Sequence, residues 1–267
     1  MYRLLYTHCL LLLVREIIIF HFIAHHSMRL IESLLPAQCL VCALPSNNKL
    51  ICQYCEKKIL TQRQYCLHCA LALPTSSDYC GDCLTKDHLF EHIHALGDYS
   101  KPLSTLIKQL KYQQQLVAGE LLASLLKTSL ELRYTQEQLL QFDLLLAVPL
   151  HAKKLRQRGF NQAQIICDSL HQQLGIPMLT KQISRCKQTL PQEGLSIKRR
   201  ELNLRAAFTY KETPTQTLTG KNIAIIDDVV TTGATVNSLC KLLKKRGVNS
   251  ITVFCISRTP LSRNEVK

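Results

Sequence analysis

The chain has 267 residues, 46% of them hydrophobic and 19% charged, with 13 Cys, no Trp, only nine Gly and nine Pro, and a formal net charge of +14. That apolar fraction supports a packed core and excludes wholesale disorder, while so little Gly and Pro excludes a collagenous or low-complexity fibre. The length suits one or two domains, and the basic excess points to a polyanionic partner, nucleic acid or a diphosphate ester, unless it is simply a solvated face. The excess is localised: residues 28–97 hold six basic and six acidic side chains, whereas residues 98–267 hold 25 and 12. Residues 151–211 alone carry 12 Lys or Arg against Asp168, Glu193 and Glu201.

Taken in chain order, residues 10–24 are apolar except for Arg15 and Glu16, which split them into two short runs. A membrane span needs about 20 apolar residues, and a central charge costs roughly 2.5 to 3.5 kcal/mol on insertion scales. No small-x-small cleavage site follows Ala24, so the segment also reads poorly as an export signal. Met28 then opens an amphipathic stretch, RLIESLLPAQC. The expectation is that the native chain begins at or near Met28, that residues 1–27 are a non-native extension, disordered or helical, and that the chain has no integral membrane span.

Between residues 28 and 97, eight Cys fall into four C-x-x-C pairs: Cys39/Cys42, Cys52/Cys55, Cys66/Cys69 and Cys80/Cys83. This spacing lets one tight turn aim two thiolates at a single metal, and two such turns close a tetrahedral sulfur site. The predicted arrangement is two structural Zn2+ sites, Cys39, Cys42, Cys52 and Cys55 in the first and Cys66, Cys69, Cys80 and Cys83 in the second, with a cross-braced pairing as the alternative. Disulfides would need an oxidising compartment, and an iron-sulfur cluster is a further chemistry that four thiolates support. With sulfur ligands sufficient, His68, His88, His92 and His94 read as surface residues. A small module with few large apolar residues would draw its folding energy from the metals.

Residues 98–267 carry the strongest chemical signal, KNIAIIDDVVTTGATVNSLCKLLKKRG. It reads as a buried strand over 222–226, two acids, a Thr/Gly turn, and a helix from about Ala234 to Arg246 with apolar residues at helical spacing. Gly247 ends the helix, and a second strand follows at 250–256, completing one unit of a parallel sheet whose ligands bind at the strands' carboxyl ends. Thr231, Thr232, Gly233, Ala234 and Thr235 place amides and hydroxyls at a helix N-terminus, where a phosphate is favoured. Asp227 and Asp228 would repel that anion if they faced it, so they suit sugar hydroxyls or Mg2+. A phosphorylated sugar satisfies both requirements, and the chain has no Gly-x-x-x-x-Gly-Lys-Ser/Thr motif that would indicate an ATPase.

The run IIDDVVTTGAT resembles the phosphoribosyl pyrophosphate (PRPP) loop of type I phosphoribosyltransferases. Together with VPLHAKKLRQRGFNQA at 148–163, TLPQEGLSIKRRELNLRAAF at 189–208 and the preceding C-x-x-C pairs, it resembles the ComF/GntX family of competence-associated proteins over about residues 34–260. The resemblance implies an α/β fold, a type I phosphoribosyltransferase-like parallel sheet flanked by helices, with a small N-terminal zinc-ribbon-like module. It implies that Asp227 and Asp228 hold the ribose hydroxyls, that Val229 is among the PRPP-binding residues, and that Thr231, Thr232, Gly233, Ala234 and Thr235 meet the 5-phosphate. Arg156, Arg158 and Gly159 would then sit in the diphosphate loop, where forked guanidinium groups and exposed amides are apt. Phe160, Asn161 and Gln162 begin the next helix, with Asn161 as a polar contact or cap.

By the same resemblance, Arg185, Lys187, Thr189, Gln192, Arg199, Arg200 and Asn203 fall in a mobile hood, although a solvated surface explains them as well. Lys111 matches a family position and reads equally as a surface helical lysine. Lys154 stands where the family usually has Arg. The implied protein is cytoplasmic, takes Mg2+ with PRPP, and acts in competence or DNA utilisation, with single-stranded DNA and DNA-processing proteins as partners. A nucleobase salvage transferase and a non-catalytic PRPP sensor are the alternatives, and no residue is assigned to catalysis.

Overall fold

The apolar run Ile223-Ala224-Ile225-Ile226 does not alternate with polar residues, so both faces of its strand must be covered, as in a parallel sheet. In the computed structural model, which describes residues 37–61, 64–73, 77–85, 87–186, 207–212 and 217–259, such a sheet forms. Strands β1 (His92–Asp98), β2 (Leu144–Ala147), β5 (Asn222–Val230) and β6 (Ser250–Arg258) are all parallel in the order β1-β6-β5-β2. Ile225 sits opposite Leu146 on one side and Val253 on the other. Two short strands, β3 (Ile183–Arg185) and β4 (Phe208–Tyr210), form a separate antiparallel pair. Residues 1–27, and Lys187, Thr189, Gln192, Arg199, Arg200 and Asn203 of the expected hood, lie outside the described residues.

The chain divides into two compact units, residues 1–53 and 54–267. The short helices α1 (Gln53–Leu60) and α2 (Gly81–Thr85) follow cysteine turns. Three longer helices, α3 (Leu103–Gln113), α4 (Leu116–Glu131) and α7 (Gln162–Leu174), build the core with the sheet: α4 packs on β1 and β6, α7 on β2 and β5, and α4 on both α3 and α7. Ile107, Leu110, Leu122, Leu126, Leu130, Ile166 and Leu170 are fully buried there, each contributing roughly 2 kcal/mol. Between α4 and β2, α5 (Gln136–Leu140) starts with a capping box made by Thr135 and Gln138. Helix α6 (Ala152–Arg158) leaves the carboxyl end of β2, and α8 (Ala234–Lys244) crosses from β5 to β6, burying Val236, Leu239, Cys240 and Leu243.

Asp143 pins β2 to β5 by accepting the Asn222 backbone N–H and the Lys221 ammonium, each at 2.8 Å. Those two donors hold its carboxyl below the usual range.

Three features differ from the sequence expectation. Strand β5 runs through Asp227 and Asp228 to Val230, because its ladder with β6 continues past the apolar run through Asp227/Cys255, Val229/Ser257 and Val230/Arg258. Correspondingly β6 ends at Arg258 rather than residue 256, and α8 ends at Lys244 rather than Arg246. The four histidines are not surface residues: His94 is 5% exposed and the others are half-buried. Burial is the reason in each case. His68 and His88 stack with Phe90, with ring centroids 4.8 to 5.0 Å apart, while His92 bonds the Tyr134 hydroxyl and His94 the Ser129 hydroxyl.

Candidate functional site

The carboxyl end of β5 leads through Val229, Val230 and Thr231 into the start of α8. Gly233 is the N-cap of α8 at φ 77°, a left-handed conformation that favours glycine. Gly233 has no side chain with which to cap the helix, and Thr232 Oγ1 accepts the Ala234 N–H at a long 3.5 Å. A Cβ on Gly233 would meet nothing within 4 Å, so the glycine here serves the turn and the space over it is open. Thr232, Ala234 and Thr235 are half-buried around this turn and Thr231 is exposed.

Asp227 is 9% exposed, and Asp228 donates its backbone N–H to the Asp227 carboxylate at 2.9 Å. Burial and the neighbouring Asp228 charge push the Asp227 carboxyl well above the usual carboxylate range, against the pull of Lys111. Lys111, in the last turn of α3, forms an ion pair with Asp228. Burial disfavours its ammonium, but the Asp228 charge outweighs that and raises the Lys111 pKa. Lys111 is therefore not a plain surface lysine; it is the cation that lets two adjacent acids share one strand end.

Further cations converge on this point. Arg158, the last residue of α6, donates to Gln162 Oε1 at 2.5 Å and stacks over the Tyr112 ring at 5.6 Å, beside Lys111. Gly159 follows at φ 84° and closes α6. Arg185, on β3, lies over Phe208 and within electrostatic range of Asp227. Partial burial and the charges of Arg185, Arg158 and Lys111 lower the Lys154 pKa. Lys111 thus pairs with Asp228 and Arg185 stands near Asp227, while Arg158 and Lys154 lie close enough to interact with Lys111; this excess of positive charge is one that an added anion with several charges relieves. Arg156 stands exposed on α6. Asn161 precedes α7 without capping it; its Nδ2 donates to the Val148 carbonyl at 3.0 Å, holding the α6–α7 turn against the end of β2. A cleft of about 590 Å³ opens beside this turn, lined by Phe160, Asn161, Gln164, Lys181 and Arg185 among others.

The eight paired cysteines form two quartets, Cys39, Cys42, Cys52 and Cys55, and Cys66, Cys69, Cys80 and Cys83, with the sulfur atoms of each within 4.8 Å of one another. This is the pairing by simple succession. Burial opposes ionisation of Cys39, but N–H donors from Cys52, Cys42 and Val41 outweigh it and lower its pKa to about 6. Cys66 behaves likewise, at about 7, under the N–H groups of Cys69, Cys80 and His68. Burial and the neighbouring thiolates raise Cys69 to about 12 and also raise Cys83. Four thiolates at this spacing need a cation among them, and the all-sulfur donor set fits Zn2+. By contrast Cys167, Cys240 and Cys255 are buried core thiols whose pKa values burial raises.

Residues 30–84 match the double zinc ribbon family and residues 156–267 the phosphoribosyl transferase domain family. Competence protein F of Haemophilus influenzae is 35% identical over 208 residues, 78% of this chain and 90% of the relative. The chain belongs to the competence protein F family. DNA utilization protein YhgH of Salmonella typhimurium is 33% identical over 226 residues, 84% of this chain and 98% of that protein. In this chain the zinc ribbon and the phosphoribosyltransferase-type sheet occur together. A purine phosphoribosyltransferase from Pyrococcus horikoshii overlaps 51% of this chain and 70% of its own at 19% identity and a TM-score of 0.30, a likeness too slight to carry weight. Among the described residues no helix is long and apolar enough to cross a membrane.

Proposed function

We propose that this protein binds PRPP with Mg2+ and serves competence or the utilisation of DNA, the words that its relatives' names carry. The observation that supports the reading is the arrangement at the end of β5: two adjacent acids, a glycine-led helix start, Lys111 and Arg185 beside the acids, and Arg158 and Lys154 close to Lys111. Asp227 and Asp228 accept the ribose hydroxyls, with Val229 alongside. Thr231, Thr232, Gly233, Ala234 and Thr235 take the 5-phosphate through amides and hydroxyls. Arg156, Arg158 and Gly159 take the diphosphate, assisted by Lys111 and Lys154. Asp227 and Asp228 are also the residues that would hold Mg2+, which would supply charge neutralisation when bound. Any transfer reaction at this site would draw on positioning and on cations that stabilise the leaving diphosphate.

The basic side chains of residues 151–211 are the surface proposed for the phosphates of single-stranded DNA, and the ribbon is the surface proposed for protein partners. Equilibrium dialysis with labelled PRPP, with and without Mg2+, tests the central reading; retention of less label than a ribose 5-phosphate control would overturn it. A panel of nucleobases assayed for pyrophosphate release then separates a transferase from a sensor. Binding to a DNA oligonucleotide should weaken steeply between 50 and 200 mM salt, by about 10³-fold if roughly six phosphates are met.

A further inference from the structure

Arg258 is the last residue of β6 and only 5% exposed, yet its guanidinium always carries charge. Its hydrogen bonds run to main-chain carbonyls: Nε donates to Cys69 at 3.0 Å, and Nη1 donates to Val230 at 3.1 Å and to Thr259 at 3.4 Å. The two principal acceptors belong to different chemical centres. Cys69 is a member of the second cysteine quartet, and Val230 is the residue immediately before Thr231 of the open turn. The same cysteine turn is tied to the sheet once more, by the Ile93 N–H donating to the His68 carbonyl at 2.7 Å. The Val230 carbonyl also accepts the Thr259 N–H at 3.0 Å, so the last peptide before the turn is held from two sides.

We propose that Arg258 is a positioning residue that couples metal occupancy of the second cysteine quartet to the anion-binding turn after β5. A buried guanidinium costs free energy unless opposite charge and hydrogen bonds compensate it. Four thiolates around one Zn2+ carry a net charge of two negatives, and Arg258 bonds the backbone of one of those ligand residues. With the metal in place, the Cys69 carbonyl is fixed and Arg258 is held against Val230. Without it, the cysteine turn relaxes, the guanidinium loses part of its compensation, and the peptide before Thr231 is less constrained. Coupling of this kind is reciprocal: whatever ligand the turn binds must tighten the binding of that metal by the same free energy. In its ligand, this inference rests on the proposed PRPP reading.

The test uses the full zinc-loaded chain. Partition of zinc between the protein and a competing chelator selective for Zn2+ over Mg2+ is measured at equilibrium, with and without saturating PRPP and Mg2+, alongside calorimetric titration of PRPP. For the wild type, PRPP should tighten the binding of one of two zinc ions about tenfold, a size common for coupled sites. Arg258→Met should abolish that tightening and weaken PRPP binding by a similar factor, and Arg258→Lys, which keeps the charge but not the fork, should fall between. The Asp227→Asn/Asp228→Asn variant controls for direct chelation of zinc by PRPP. Wild-type protein that binds PRPP yet holds both zinc ions with unchanged affinity overturns the coupling, as does an Arg258→Met protein that couples like wild type. Should Arg258→Met not fold, the wild-type affinities and Arg258→Lys decide. Failure of the wild type to bind PRPP at all is a different result, and overturns the proposed function with the coupling.

Discussion

In the second cysteine quartet all four sulfurs come from residues 66–83, whereas the groups around Asp228 come from α3, α6, β3 and β5, with 117 positions between Lys111 and Asp228. The ribbon's chemistry is local, and its order depends on an ion that the chain must recruit. The acid site is assembled by the sheet, and its acids are met by cations that α3, α6 and β3 deliver. The difference teaches where each region should fail. Withdrawing a cation from the ribbon removes its structure, while withdrawing one from the acid site leaves the fold and unbalances the charges.

The largest expected effect is loss of zinc. Structural zinc sites in small modules contribute on the order of 10 kcal/mol to folding, so chelation should collapse amide-exchange protection over residues 37–85 while β5 and β6 stay protected. Persistent protection of the ribbon without metal would break the contrast. Next is the ion pair: with the Lys111 and Asp228 side chains 18% and 14% exposed, Lys111→Met should cost about 3 kcal/mol, as for removal of one partner from a buried pair. Adding Asp228→Asn should recover most of that loss in a double-mutant cycle, and simple additivity would remove Lys111 from the site.

A smaller effect belongs to the core itself. Burial, first, and then the charges of Arg133 and His92 lower the His94 pKa to about 3, against about 6.5 in an unfolded chain. The unfolded state therefore takes up the proton first, and stability falls as pH drops below 6.5. Between pH 6.5 and 5 the loss should be about 2 kcal/mol, and His94→Gln should flatten that slope of Tm against pH. An unchanged slope would show that His94 is not the titrating group.

What the sequence revealed follows the same contrast. The C-x-x-C pairs and the Asp-Asp-Val-Val-Thr-Thr-Gly run are legible because the ligands of each centre are neighbours in the chain. Lys111 and Arg185 are hard to read because a lysine in a helix and an arginine beside a basic segment are ordinary surface residues until a distant partner is known. Arg258 gives no signal for the same reason: one arginine at a strand end says nothing about Cys69, 189 positions earlier. His94 reads as a surface residue because the sulfur ligands suffice for the metals, whereas it is set in β1, bonded to Ser129 of α4 and edge-on to Phe254. The extension of β5 through two Asp runs against their low strand propensity and depends on the ladder with β6.

The most direct measurement is a calorimetric titration of PRPP with Mg2+ into the zinc-loaded wild type and into Asp227→Asn/Asp228→Asn. Saturable binding by the wild type that weakens at least about 100-fold in the variant, the loss expected when about 2.7 kcal/mol of contact disappears, is the predicted result. Equal affinity in the two proteins, or no heat from the wild type, would contradict the assignment of these acids to the ribose.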